Sequence, residues 1–210
     1  MSEALDTSDM IFVHNVFRQF FDRVPCLFSA NNVDQKSAID RYITTVLTFL
    51  DSHHAAEDET VWPLLHQRVA EEDKRIGLAE DQHHDLEQQL ENCFAGLSRW
   101  REDAAQAPQL QADLQALADL AREHMDYEEA VILPLCHEHI TPEEWRALPA
   151  HTLQGLTGEL LMMTLGLVRD SFDESRRAGL DANTPPPVAA LWESEGRALY
   201  KETMEIVRSL

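Results

Sequence analysis

The stretch "HHAAEDETVWPL" fills residues 53–64, and "HMDYEEAVILPL" fills residues 124–135. Both follow one formula: His, three residues, Glu, five residues, Pro-Leu, with the two copies starting 71 residues apart. A His and a Glu four positions apart share one face of an α-helix. Two questions follow. What needs this face twice, and which of the tandem His53 and His54 belongs to it?

Working outward from the first copy, apolar residues recur at 39, 43, 46, 50 and 64, and positions 53, 57 and 60 complete the series with His53, Glu57 and Thr60. The alternating steps of four and three are those of a bundle seam. His54 falls off this stripe, so the spacing assigns His53 to the interior and His54 to the side. Around the second copy the stripe runs 110, 114, 117, 121, 124, 128, 131, 135, and it includes His124 and Glu128. Two further segments carry one stripe histidine each. His14 sits between Met10 and Phe17, and His83 sits between Ala79 and Leu86, with His84 pointing sideways.

These stripes predict four amphipathic helices over about 7–24, 37–69, 74–101 and 109–137. Pro25 interrupts the first, "SANNVDQKS" (29–37) joins it to the second, and Pro63 and Pro134 kink or end helices beyond the His and Glu pairs. Short connections make sequential helices antiparallel neighbours. The expected fold is all-α: an up-down-up-down antiparallel four-helix bundle within 1–140, with a helical extension over 141–210 packed on it. In that extension "TPEEW" (141–145) is a helix start, with Thr as cap, Pro first and Glu third. Helical patches over 143–177 and 188–209 flank "LDANTPPPV".

Composition narrows the partners. Among 210 residues, 38 acids against 17 Lys and Arg give a formal net charge of −21, which repels nucleic acid and anionic membrane surfaces. The longest apolar run, "LLMMTLGLV", is too short to span a bilayer, and "MSEALDTSDM" does not read as a signal peptide. Cys26, Cys93 and Cys136 show no CxxC spacing and read as small buried hydrophobes in a reducing cytoplasm.

Each helix therefore brings an imidazole to the interior, and two also bring a carboxylate. Antiparallel helices rising ~1.5 Å per residue place His83, His124 and Glu128 within about a turn of one another, with His14 and His53 at matching distances from their own connection. A buried, unpaired carboxylate costs several kcal/mol, about as much as one core substitution. Two of them among four imidazoles call for a cation, and mixed His and carboxylate donors suit iron, zinc or manganese. Carboxylates bridge, so His14, His53, Glu57, His83, His124 and Glu128 fit a pair of ions better than one. Asp58 and Glu129 stand next to the ligand carboxylates as candidate supports, while Glu59, His66, His84, His137, His139 and His151 read as peripheral.

These motifs resemble the hemerythrin-like family, the HHE cation-binding domain. The resemblance covers about 7–138 and rests on His14, His53 with Glu57 before a proline, His83, and His124 with Glu128. It implies two non-haem iron ions joined by an oxo or hydroxo bridge and two carboxylates, with zinc or manganese as lesser alternatives. The implied ligands are O2, NO, peroxide or iron itself. Oxygen-carrying members have a further histidine one turn before the third-helix ligand, where this chain has Ala79. The implied centre then has four imidazoles and room on both irons, which suits a sensor, an NO- or peroxide-reactive centre or labile iron rather than reversible O2 carriage. The expected function is binding or sensing of O2 or NO, with a protein partner carrying the output. An enzyme-like role in NO or peroxide reduction or iron–sulfur cluster repair is the alternative. Repair proteins of this family usually add a segment with paired cysteines, which this chain lacks before the first helix.

Overall fold

A computed structural model of the chain describes residues 5–28 and 33–210. Part of the expected 29–37 connection, 29–32, lies outside the described residues. Among the described residues every regular element is helical. Four long helices dominate: α1 (Ser8–Leu27), α2 (Val33–Thr60), α4 (Asp73–Glu102) and α5 (Ala107–Tyr127). Two are prolonged by short segments, α2 by α3 (Trp62–Arg68) and α5 by α6 (Leu133–His139). Helix α1 packs on α2 and α5, and α4 packs on the same two.

The interruptions differ from expectation, and each has a local cause. Pro25 lies inside α1 near its C-terminal end instead of stopping it. Helix α2 breaks at Val61, and Pro63 then opens α3, where its missing N–H falls among groups that have no partner in any helix. Between α5 and α6, Glu128–Ile132 forms a π turn, one residue wider than an α turn. Both irregularities move the apolar phase by one residue. Val61 and Leu65 are buried where 60 and 64 were expected, and Ile132 and Cys136 are buried where 131 and 135 were expected.

Beyond α6 the chain turns back over the four long helices. α7 (Pro142–Trp145) starts with the expected capping box: the Thr141 hydroxyl accepts from the Glu144 N–H, and the Glu144 carboxylate accepts from the Thr141 N–H. The single patch expected over 143–177 is four helices: α7, α8 (Leu148–Thr152), α9 (Gly158–Ser171) and the start of α10 (Glu174–Asn183). Gly155 and Gly158, with φ of 87° and 55°, make the turn from α8 into α9. α11 (Pro186–Leu191) leads through a second π turn, Trp192–Gly196, into α12 (Arg197–Ser209). α8, α9 and α12 all pack on α2.

The apolar core falls into two clusters. One holds Phe17, Phe20, Ile43, Leu47, Leu86 and Leu114, together with Met163 and Met204 from α9 and α12. The other holds Met10, Trp62, Leu65, Ile76, Ile132 and Trp145. Every long helix passes from one cluster to the other: α1 between Met10 and Val16, α2 between Leu50 and Ala56, α4 between Ala79 and Leu86, and the α5–α6 rod between Met125 and Ile132. His14, His53, His83 and Glu128 lie in those gaps, and Glu57 and His124 stand one residue beyond them.

Candidate metal centre

Between the two apolar clusters lies a layer of seven buried polar side chains: His14, His53, His54, Glu57, His83, His124 and Glu128. All six residues singled out from sequence are in it. The seventh is His54, which the stripe had placed to the side but which is only 6% exposed. The stripe failed because α2 is covered on several sides, by α1, α4, α8, α9 and α12. Its buried set widens to include Ala38, Tyr42, Leu47, Phe49, His54 and Ala56 beside the original seam. A helix enclosed in this way buries an arc wider than the ~100° of a surface helix, and a four-three stripe captures only its middle. Tandem histidines in a covered helix are the sequence signal that could have found it.

The candidate donor atoms form two groups. One atom each from His54, Glu57, His83 and His124 lie within 4.8 Å of one another, and so do one atom each from His14, His53 and Glu128. The carboxylates connect the groups. Glu57 sets Oε1 3.4 Å from His53 Nε2 and Oε2 3.6 Å from His83 Nε2. Glu128 Oε2 lies 3.1 Å from His14 Nε2 and 3.8 Å from His124 Nε2. Each carboxylate therefore reaches imidazoles of both groups. The π turn begins at Glu128, so the irregular backbone coincides with a residue of the layer.

Two imidazoles are oriented from outside the layer. His83 Nδ1 lies 2.7 Å from Asp58 Oδ1, which also accepts from the Trp62 indole at 2.7 Å. His14 Nδ1 lies 2.8 Å from Glu129 Oε1, which also accepts from Arg18 at 2.7 Å. A carboxylate accepts, so Nδ1 carries a proton in both rings and Nε2 faces the layer. Asp58 and Glu129, next in sequence to the two interior glutamates, are thus the supports their positions suggested.

Burial governs the protonation of the layer. It pushes His53 and His54 well below the ordinary histidine range and His124 down to about 3, holding neutral imidazole, the form that binds metals. Burial and the neighbouring Glu128 push Glu57 well above the carboxylate range. Burial opposes the charged forms of Glu128 and His14 as well, but their proximity outweighs it: Glu128 is lowered and His14 is raised.

Hydrogen bonding leaves much of the layer unsatisfied. His14 Nε2, His53 Nε2, both oxygens of Glu57 and Glu128 Oε2 are buried without a hydrogen-bond partner. Each such orphan costs about 1–3 kcal/mol, and native proteins keep few of them. His14 Nε2 and Glu128 Oε2, 3.1 Å apart, can pair with each other while His14 is protonated. The neutral His53 Nε2 and the two Glu57 oxygens have no protein partner, and carboxylates that reach both imidazole groups fit a pair of cations.

The other expected peripheral histidines lie outside the layer. His84 is exposed, and His66 sits between Asp73 (2.9 Å) and Glu80 (3.1 Å). Among the cysteines, Cys93 and Cys136 are buried as expected, whereas Cys26 is exposed at the end of α1. Ala79, where a further histidine would have stood, is fully buried in the second apolar cluster. The layer nevertheless has five imidazoles, because α2 supplies two.

Two clefts reach the layer from different sides. One, of about 330 Å³, is lined by Asp51, Asp58, Glu80 and Glu87 and touches His54 and His83. The other, of about 630 Å³, is mostly apolar, with Met10, Phe49, Trp145, Leu148 and Phe172 in its walls, and it touches His53. No helix among the described residues is long and apolar enough to cross a membrane.

Comparison with curated proteins and with solved structures finds no match. Comparison with protein-family models finds one, the hemerythrin HHE cation binding domain, over residues 6–136.

Proposed function

Because the chain belongs to the hemerythrin HHE cation-binding family, we propose that its buried layer holds two iron ions bridged by Glu57 and Glu128 and that it binds or senses O2 or NO there. His54, His83 and His124 would serve one ion, and His14 and His53 the other. The observation that carries this reading is the set of orphaned inward atoms on carboxylates that reach both imidazole groups. Mixed imidazole and carboxylate donors suit iron, and they also admit zinc or manganese. An oxo or hydroxo bridge would complete the pair. The fold around it is best described as an up-down-up-down four-helix bundle over 1–140 with the helices of 141–210 as an extension.

Five imidazoles instead of four change the functional expectation. The donor set is uneven, three imidazoles against two, so the His14 and His53 side has more room for an external ligand. The apolar cleft touches that side, at His53, and an uncharged diatomic molecule enters apolar space at little cost. The chain's own residues orient the rings, bracket the layer with two apolar clusters and give this side its apolar approach. A reduced iron pair held by these residues would supply electrons and a coordination position for O2 or NO. Reversible O2 binding, disfavoured by a four-imidazole site, is compatible with this one.

The alternative is an enzyme-like role, with NO or peroxide consumed at the same centre or iron passed to damaged clusters. Anaerobic protein reconstituted with ferrous iron separates the two. Binding is expected to give an optical band on adding O2 or NO that disappears when the gas is removed, with one ligand taken up per chain. Continuous consumption of NO or peroxide would favour the enzyme, and failure to retain iron would overturn both. A cytoplasmic location, and a separate protein partner for output, belong to the same reading.

A further inference from the structure

The acid-lined cleft lies over a different side of the layer from the apolar one, and its lining is unusual. Four carboxylates, Asp51, Asp58, Glu80 and Glu87, surround it without a single Lys or Arg among its lining residues. Asp51 is exposed at the cleft and has no ion pair among the described residues. Glu87 has only a long 3.8 Å contact to His84 at the mouth. The floor is formed by His54 and His83, two of the imidazoles in the first donor group. His54 is nine-tenths buried, its imidazole makes no hydrogen bond among the described residues, and it borders the cleft.

We propose that this cleft is the entry port through which hydrated divalent cations reach the buried centre, with Asp51 and Glu87 capturing them at the mouth and His54 and His83 receiving them at the floor. The inference rests on the metal-centre reading above. A cleft of one charge sign between low-dielectric walls focuses potential and raises on-rates by about 10–10³-fold. At about 330 Å³ it admits a cation with part of its water shell, since one water takes roughly 30 Å³. The mostly apolar cleft offers fewer groups to replace a hydration shell, since its two acids, Asp6 and Asp9, already accept from Ser8 and Trp145, and it meets the layer at His53. Cations and uncharged ligands would then approach the centre from separate sides, cations over the three-imidazole group and ligands over the two-imidazole group.

The test is the loading rate of the metal-free full-length chain with Co²⁺, followed by its visible absorption in stopped flow at low ionic strength. Asp51→Asn combined with Glu87→Gln is expected to slow loading about 10-fold, to flatten its dependence on salt and to leave the final Co²⁺ content unchanged. Glu102→Gln combined with Glu202→Gln removes the same charge from exposed positions elsewhere and is expected to leave the rate unchanged. An unaltered rate in the first variant would overturn the port, as would equal slowing in the control. A lower final Co²⁺ content in the first variant would also overturn it, since those acids would then be ligands. A wild-type chain that takes up no Co²⁺ would instead overturn the metal centre itself.

Discussion

At the scale of single residues, Glu57 shows why the layer is built for something other than stability. It is fully buried, both its oxygens lack a hydrogen-bond partner, and burial with Glu128 beside it pushes it well above the carboxylate range. In a metal-free chain this carboxyl only costs free energy. Glu57→Leu, similar in length and apolar, is therefore expected to make the metal-free protein more stable by about 1–3 kcal/mol, the cost of an unsatisfied buried group. It should also abolish the stabilisation that added iron gives the wild type. Urea unfolding with and without iron measures both effects, and a destabilised metal-free variant would contradict the assignment of Glu57. His53, Glu57, His124 and Glu128 were legible because a repeat and a periodicity singled them out independently. His54 was not, because periodicity reports one face of a helix and α2 is enclosed on several.

At the scale of elements, helix existence was legible and helix phase was not. A stripe extrapolated through the break at Val61 or the π turn at Glu128–Ile132 arrives one residue early, at 60 and 131 instead of Val61 and Ile132. In both copies the irregularity falls between the motif glutamate and the proline six residues on, Pro63 or Pro134, whose missing N–H loosens the helix there, but a four-three stripe does not register it. The C-terminal helices are fixed by close approach. In α9, a Cβ added at Gly166 would fall inside contact distance of the Tyr200 ring of α12. That ring cannot swing freely, since the Tyr200 hydroxyl donates to Asp170 at 2.6 Å and the same carboxylate accepts from Arg208. Gly166→Ala is expected to cost about 1–3 kcal/mol through overpacking, read as a lower midpoint in urea unfolding. A variant as stable as the wild type would show that α9 and α12 are not held this closely.

At the scale of the whole molecule, the sequence fixes an all-helical chain through its stripes, and the two apolar clusters give those stripes a purpose. They sandwich the polar layer, so its charges are neutralised by whatever the layer holds and not by water. The extension over 141–210 could be read as helices but not placed, because its contacts depend on glycines and methionines such as Gly166 and Met163, which carry no periodic signature of a partner. Its placement matters to function: Trp145, Leu148, Val168 and Phe172 help to wall the apolar cleft that reaches His53. The net charge of −21 disfavours anionic partners.

The central claim is a two-ion centre with uneven donor groups, three imidazoles including His54 on one side and two on the other. Iron content per chain, measured on anaerobically reconstituted wild type and on His54→Ala, tests it most directly. The expected result is two irons in the wild type, with His54→Ala folded but holding fewer. Two irons of unchanged affinity in His54→Ala, or no iron in the wild type, would contradict it.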